Sequence, residues 1–183
     1  MSNEKKIVNR VKCTANISGL MDNFYKDMFD DNKGPLCWCV GACPYEMFSA
    51  ANVRRFQTEN HAARISTRQE QAMFIEVAEA EGLSENVCSY AKINIGFALM
   101  MARGEEDKIP ERYRLPKPDM IFALNTCPTM IQWCDMLSDI FKVPKFVVDA
   151  AYIYDENNWD RNVEYVKSQL YDFVRFLEKH TGQ

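Results

Sequence analysis

Long hydrophobic runs are absent from this sequence. A membrane-spanning helix needs about 20 consecutive apolar residues, and no segment comes near that length. The N-terminal residues MSNEKKIVNRVK also lack the apolar stretch of a signal peptide. A chain without either feature is expected to stay in the cytoplasm, with no membrane as a partner.

Two common nucleotide-binding signatures are missing as well. No G-x-G-x-x-G follows an apolar run, and no G-x-x-x-x-G-K-[ST] is present. Lys and Arg total 22 against 26 Asp and Glu, which gives a formal net charge of −4, and the basic residues are scattered along the chain. Because nucleic-acid-binding proteins carry a clustered basic surface, we expect no nucleic acid as a partner.

Histidine is scarce, with 2 residues in the chain. His61 and His180 both have polar neighbours in the sequence, so we expect them on the surface. A zinc site or a cysteine–histidine nucleophile therefore lacks an obvious partner. The 7 cysteines are too few for a disulfide scaffold in 183 residues, so they indicate buried thiols, metal ligands or both.

Short apolar runs alternate with segments of helical periodicity. Strands are predicted over residues 36–42, 53–56, 119–125 and 145–150. One or two helices are predicted over residues 5–30, with an interruption near Gly19, and further helices over residues 44–52, 68–82, 88–103, 128–141 and 156–180. This alternation predicts an α/β fold with a doubly wound parallel sheet, flavodoxin-like or Rossmann-like, and helices on both faces. The length favours a single domain over residues 1–183, with an N-terminal helical segment over about residues 1–33. Residues 104–118, charged and rich in proline, are predicted as a surface connection.

Two of the predicted strands end in a cysteine followed by proline. The first ends at GACP, with Cys43, and the third ends at LNTCP, with Cys127. Ligands of doubly wound sheets bind at the carboxyl ends of the strands, so both cysteines are expected at the binding edge. Cys127 precedes a proline that favours a helix start, and Cys88 follows the helix-starting residues SEN.

A sulfur at a helix N-terminus lies near free backbone N–H groups, which favour the thiolate that ligates iron. Cys88 and Cys127 are therefore candidate ligands, although 39 residues separate them and no C-x-x-C is present. Buried structural thiols are the alternative for both residues. Cys43 shares a turn with Glu46 and could also ligate a metal. The other cysteines are predicted core or partly exposed thiols: Cys13, Cys37, Cys39 and Cys134.

Several segments resemble the 2-hydroxyacyl-CoA dehydratase and benzoyl-CoA reductase family of oxygen-sensitive iron–sulfur enzymes. They are CWCVGACPYEMFSAANVRRF, EGLSENVCSYAKINIGFAL, PDMIFALNTCPTMIQWCDMLSDIFKVPKFVVD and the closing QLYDFVRFLEKHTG. Together they cover most of the chain. The stretch GLSENVCSYAK looks most similar to the benzoyl-CoA reductase B-subunit type.

The resemblance implies that Cys88 and Cys127 are two of three cysteine ligands of a [4Fe-4S] cluster. It also implies that Glu46, in the P-x-E motif, lies near the substrate and can hydrogen-bond or exchange a proton with the acyl group; a favourable interaction with the helix dipole alone is the alternative. The third ligand of the family belongs to a second domain, which is expected to be absent from this chain. The chain is then a fragment, or a separate subunit supplies the rest, or Cys43 substitutes.

In such enzymes an ATP-hydrolysing iron–sulfur activator delivers one low-potential electron, and the acyl-CoA substrate is reduced to a ketyl radical. The resemblance thus implies three partners: a sister subunit of the same family, the activator and an acyl-CoA. Two alternatives stay open, namely a double-cubane reductase of small molecules and a cluster-free structural or assembly domain.

Overall fold

The computed structural model describes residues 12–150 and 156–182. Its strands form one parallel sheet in the order β2-β1-β3-β4. The strands are β1 (Leu36–Val40), β2 (Arg54–Gln57), β3 (Met120–Asn125) and β4 (Lys145–Asp149). Trp38 in the middle of β1 lies opposite Phe56 of β2 and Ile121 of β3. The predicted parallel sheet is confirmed.

Helices cover both faces of the sheet. They are α1 (Lys12–Asp27), α2 (Tyr45–Ala50), α3 (Thr58–Ser66), α4 (Ala72–Ala80), α5 (Ser89–Ala102), α6 (Pro128–Phe141) and α7 (Trp159–Thr181). Residues 5–11 of the predicted first helix lie outside the described residues. No helix of the described ranges is both long and apolar enough to cross a membrane.

The side chains of β1 alternate between the two faces, as the pleat of a strand requires. Trp38 and its even-numbered neighbours join a core with α1, α3, α4, α5 and α6. Cys37 and Cys39 join a second core with α2 and α7, in which Phe48 packs against Phe173. All five residues of β1 are buried, which is typical of a parallel strand with helices on both sides.

Helix α3 is the element that sequence analysis missed. Thr58, His61, Ala62 and Ile65 form its buried face, so half of that face is polar and the hydrophobic periodicity is weak. The predicted helix over residues 68–82 is shorter than expected and begins at Ala72. Gln69, with a φ of 59°, lies in the turn that separates the two helices.

The connection over residues 104–118 is also more buried than predicted. Ile109, Tyr113 and Leu115 are at most 4% exposed and belong to the core. Two 3₁₀ turns, Glu106–Lys108 and Glu111–Tyr113, bring these side chains inward. The prediction of a surface connection followed from the many charged residues of this segment, and its few apolar residues were not recognised as part of the core.

Helices α4 and α5 touch through their backbones. A Cβ atom added to Gly96 of α5 would lie 1.9 Å from the carbonyl oxygen of Phe74 in α4. Every residue of α5 from position 91 to position 101 is buried, so this helix has no free side toward which it could shift. A glycine is therefore required at position 96 for close packing rather than for a special backbone conformation.

We expect Gly96→Ala to lower the free energy of unfolding by about 3 kcal/mol, because a backbone carbonyl cannot move aside cheaply. Gly19→Ala is the matched control, since Gly19 is also helical but has no described atom within 4 Å of an added Cβ. That change should stabilise the protein by up to about 1 kcal/mol. Urea unfolding followed by circular dichroism measures both. Equal effects would show that the α4–α5 contact is loose.

Candidate functional site

The strand order places a topological switch point between β1 and β3. From β1 the chain moves outward to β2 on one side, while β3 and β4 lie on the other side. The crevice outside the carboxyl ends of two such strands is where ligands of doubly wound sheets bind. The turn of residues 41–44 follows β1, and the turn of residues 126–127 follows β3. Cys43 lies in the first of these turns and Cys127 in the second, as the sequence predicts.

The two turns touch each other. A Cβ atom added to Gly41, whose φ is 81°, would lie 2.9 Å from Sδ of Met130 in the first turn of α6. The Thr126 hydroxyl donates a hydrogen bond to the same sulfur over 3.2 Å. Met130 thus joins the turn after β1 to the turn that carries Cys127.

Cys127 is the N-cap residue of α6, as the sequence predicts. Its backbone is extended, with φ −150° and ψ 136°, and Pro128 begins the helix. The Cys127 side chain is partly exposed and makes no capping hydrogen bond within the described residues. The thiol is therefore free to bind a ligand beside the N–H groups of the first turn of α6.

Cys88 occupies the equivalent place on α5. It is the N-cap residue, it is exposed, and its side chain caps no N–H group of the described chain. Lys92, one turn further on, is only 4% exposed. Its Nζ donates to Glu79 Oε1 over 2.6 Å and to the carbonyl oxygen of Glu85 over 2.8 Å. Lys92 thereby ties the segment before Cys88 to the first turns of α5.

Lys92 had no predicted role. One feature of the sequence could have predicted a role for it: Lys92 is a single lysine directly before the apolar run INIGFALMM. A buried ammonium needs polar partners, and in this protein those partners are Glu79 in α4 and the carbonyl oxygen of Glu85 in the turn that precedes α5.

A buried polar chain connects α3, α5 and α6. Trp133 Nε1 donates to Asn94 Oδ1 over 3.2 Å, and Asn94 Nδ2 lies 3.2 Å from His61 Nδ1. His61 Nε2 lies 2.9 Å from the carbonyl oxygen of Tyr113. An indole N–H only donates and a carbonyl oxygen only accepts, so His61 carries its proton on Nε2 and accepts from Asn94 at Nδ1.

His61 is therefore not a surface residue, and that prediction is wrong. The ring is fully buried, 4.6 Å from the ring of Phe97 between centroids. Its sequence neighbours are polar, but the helical geometry turns His61 toward the core, beside Ala62 and Ile65. The predicted exposure of His180 is nearer to the structure, since that ring is partly exposed and lies against Phe176.

Glu46 lies in the first turn of α2 and is exposed. Helix α2 belongs to the face of the sheet opposite α5 and α6. The structure thus brings Glu46 and Cys127 to the carboxyl ends of the neighbouring strands β1 and β3. Cys88 lies at the start of α5, which packs against α6.

Cys43 is turned toward other partners. Gln57 Nε2 lies 3.3 Å from its sulfur, and a hydrogen bond with the Cys39 thiol together with burial raises the pKa of Cys43 well above its usual range. In the described residues no group of three or more His, Cys, Asp or Glu is arranged to hold a metal. The Cys43 thiol is thus engaged by Cys39 and Gln57, and its role as a substitute ligand stays a prediction. The predicted core positions of Cys37, Cys39 and Cys134 are confirmed, whereas the Cys13 side chain lies outside the described residues.

We expect Gly41→Ala to cost about 1 kcal/mol more in unfolding free energy than Gly104→Ala, because only the first change displaces Met130. Both glycines have a positive φ, of 81° and 72°, so both variants carry the same backbone penalty. No described atom lies within 4 Å of a Cβ on Gly104. Urea unfolding compares the two variants. Equal losses would mean that the two turns do not constrain each other.

The buried His61 should also make stability depend on pH. Burial, aided by the charge of Arg64 and opposed by the hydrogen bond to Tyr113, lowers the pKa of His61 to about 4. The unfolded chain binds this proton below pH ~6.5 and the folded chain does not. Stability is therefore complete above pH ~6.5, and about 3 kcal/mol of it is lost as the pH falls to about 4.

Urea unfolding between pH 7 and pH 4 measures this loss. His61→Gln should flatten the dependence, because an amide keeps one donor and one acceptor without a titratable ring. His180→Gln is the control, because it removes the other histidine of the chain, whose ring is only partly buried, and leaves both hydrogen bonds of His61 in place. A wild-type slope in His61→Gln would contradict the assignment of this pH dependence to His61.

Comparison with known proteins places this chain in a family. The family model described as 2-hydroxyglutaryl-CoA dehydratase, D-component, matches residues 39–183. The (R)-phenyllactyl-CoA dehydratase alpha subunit of Clostridium sporogenes is 29% identical over 147 residues, which cover 80% of this chain and 34% of that protein. The (R)-2-hydroxyisocaproyl-CoA dehydratase alpha subunit of Clostridioides difficile is 24% identical over 170 residues, which cover 91% of this chain and 40% of that protein.

The reductase branch is represented too. The benzoyl-CoA reductase B-subunit of Thauera aromatica is 32% identical over 117 residues, covering 63% of this chain and 26% of that protein. The chain thus spans well under half the length of each of these relatives, and its choice of branch stays a prediction. The match over residues 39–183 shows that the chain belongs to the 2-hydroxyglutaryl-CoA dehydratase D-component family.

Proposed function

We propose that this chain contributes Cys88 and Cys127 as two of the cysteine ligands of a [4Fe-4S] cluster in a low-potential acyl-CoA dehydratase or reductase. The observation that carries the proposal is the matched position of the two residues. Each is the N-cap of a helix, each has an accessible sulfur, and the two helices pack against each other.

The residues present fit a shared cluster better than a complete one. Cysteine thiolates are the usual ligands of such clusters, and the described residues offer no third metal ligand beside these two. The remaining ligands would come from another domain or from a partner subunit. The names of all three relatives describe them as enzyme subunits, which supports a sister subunit as that partner.

When bound, such a cluster supplies one electron at low potential to a CoA thioester. The residues of this chain hold and surround the reacting groups. Lys92 fixes the segment before Cys88, and Met130 fixes the turn before α6. Backbone N–H groups at the two helix starts favour the negative charge of thiolate ligands.

Glu46 is the proposed acid–base residue of the same site. It is exposed in the first turn of α2, next to the carboxyl end of β1 and thus at the switch point. A carboxyl group there can donate a proton to the acyl part of a CoA thioester or accept a proton from it. An ATP-hydrolysing iron–sulfur activator is the proposed electron donor, and an anaerobic cytoplasm is the proposed setting.

Iron and acid-labile sulfide, measured with an electron paramagnetic resonance spectrum, test the proposal. The protein is purified without oxygen, alone and with its co-purifying partners. We expect about four irons per site in the complex and their loss in Cys88→Ser and Cys127→Ser. Serine is a good N-cap residue, so neither change should unfold α5 or α6.

Cys134→Ala is the matched control, because it removes a buried thiol from α6, the helix that Cys127 caps. It should keep the full iron content. About twice the iron and sulfide per site would favour the double-cubane alternative. Absence of iron from every preparation, or full iron in both serine variants, would overturn the proposal and leave a structural or assembly domain.

A further inference from the structure

Asn94 and Trp133 place two polar atoms inside an apolar layer. Asn94 is fully buried in α5, where its neighbours from position 91 to position 101 are buried as well. Trp133 of α6 is 2% exposed. Burying polar groups costs free energy unless they are hydrogen-bonded, and an apolar pair would fill the same space without that cost. The pair therefore requires an explanation other than packing.

On each helix, the residue that forms the hydrogen bond follows the N-cap cysteine at the same distance in sequence. Asn94 is the sixth residue after Cys88, and Trp133 is the sixth residue after Cys127. An α-helix rises 1.5 Å per residue, so each cysteine lies about 9 Å along its helix from the Trp133–Asn94 hydrogen bond.

The two helices also run in the same direction. Helix α6 begins three residues after β3 ends, and α3 begins directly after β2, so both start at the carboxyl edge of the sheet. The chain that leaves α5 passes the turn after α3, where Arg112 forms an ion pair with Glu70, and reaches the amino edge of the sheet, where Asp119 accepts a hydrogen bond from the backbone N–H of Leu36 at the start of β1. Helix α5 therefore runs parallel to α3 and α6, and equal spacing from one hydrogen bond brings Cys88 and Cys127 to the same height.

Apolar packing alone does not select this register strongly. Neighbouring helices interdigitate through ridges and grooves that repeat along the axis, and the face of α5 toward α6 is otherwise apolar. A slip of one turn, about 5.4 Å, would separate the indole N–H from its acceptor and leave both buried without partners. The bond from Asn94 to His61 holds the amide in the orientation that accepts from Trp133.

We propose that the hydrogen bond from Trp133 to Asn94, anchored by His61, sets the register of α5 against α6 and thereby holds Cys88 and Cys127 level as a pair of ligands. The inference rests on the proposed function for its purpose. Trp133, Asn94 and His61 are positioning residues, because they act through the two cysteines rather than on a substrate.

The test measures the distance between the two thiols without a cluster. Bifunctional thiol reagents of graded length are applied to the reduced, cluster-free chain, and the Cys88–Cys127 cross-link is identified by mass spectrometry of its peptides. The wild-type chain should give one sharp optimum of reagent length. Trp133→Phe, which removes the N–H donor, should spread or shift the optimum by about one helical turn, 5.4 Å.

Trp38→Phe is the matched control. Trp38 is fully buried in the same core, and its Nε1 has no hydrogen-bond partner among the described residues. That variant loses a similar volume and no such bond, so its stability should fall while its cross-linking optimum stays that of the wild type. An unchanged optimum in Trp133→Phe would overturn the proposal.

A second variant guards against misfolding. Trp133→Phe combined with Asn94→Leu replaces both partners of the interhelical bond by apolar groups. It leaves only His61 Nδ1 without its partner, keeps the bond from His61 to Tyr113, and should also lose the sharp optimum. Iron content of the purified complex is measured in parallel. If Cys88 and Cys127 bind no iron, the proposed function fails. The cross-linking optimum still tests whether the Trp133–Asn94 hydrogen bond sets the register of α5 against α6. If iron binds and the optimum is the same in every variant, only this inference fails.

Discussion

The burial of β1 on both faces is the constraint on which the rest of the structure depends. All five residues of this strand are buried, and a strand in that position can be covered only by helices on each side. The side chains of β1 are therefore committed to packing. The proposed site residues lie instead beyond the carboxyl ends of the strands, where Glu46 of α2 follows β1 and Cys127 follows β3.

Helix α5 shows how a buried element can still serve a site at the surface. Its only contact with solvent near the site is at its N-terminus, with Cys88 just outside the helix and exposed. Its two buried polar side chains lie in the first two turns, where Lys92 bonds back to Glu85 and Asn94 bonds across to His61 and Trp133. Polar groups in a core cost free energy unless they are paired, and here each pairing orients a segment that carries a cysteine.

Several elements were predictable because their signals are local. Helix α6 has its predicted bounds, Pro128–Phe141, since a proline marks its start and its apolar residues recur at helical intervals. The two N-cap cysteines follow from the same local signals. Helix α3 was not predictable, because its buried face includes His61 and Thr58, whose partners come from distant parts of the chain.

The sequence by itself determined the four strands, the helices other than α3, that the sheet is parallel, and that Cys88 and Cys127 stand at helix starts. Only the tertiary structure decided the strand order, the contact between Gly41 and Met130, and the pairing of α5 with α6. The physical reason is that a local pattern specifies which face of an element is apolar but not which other face will cover it. Which turns meet, and hence which residues share a site, depends on contacts between residues far apart in the chain.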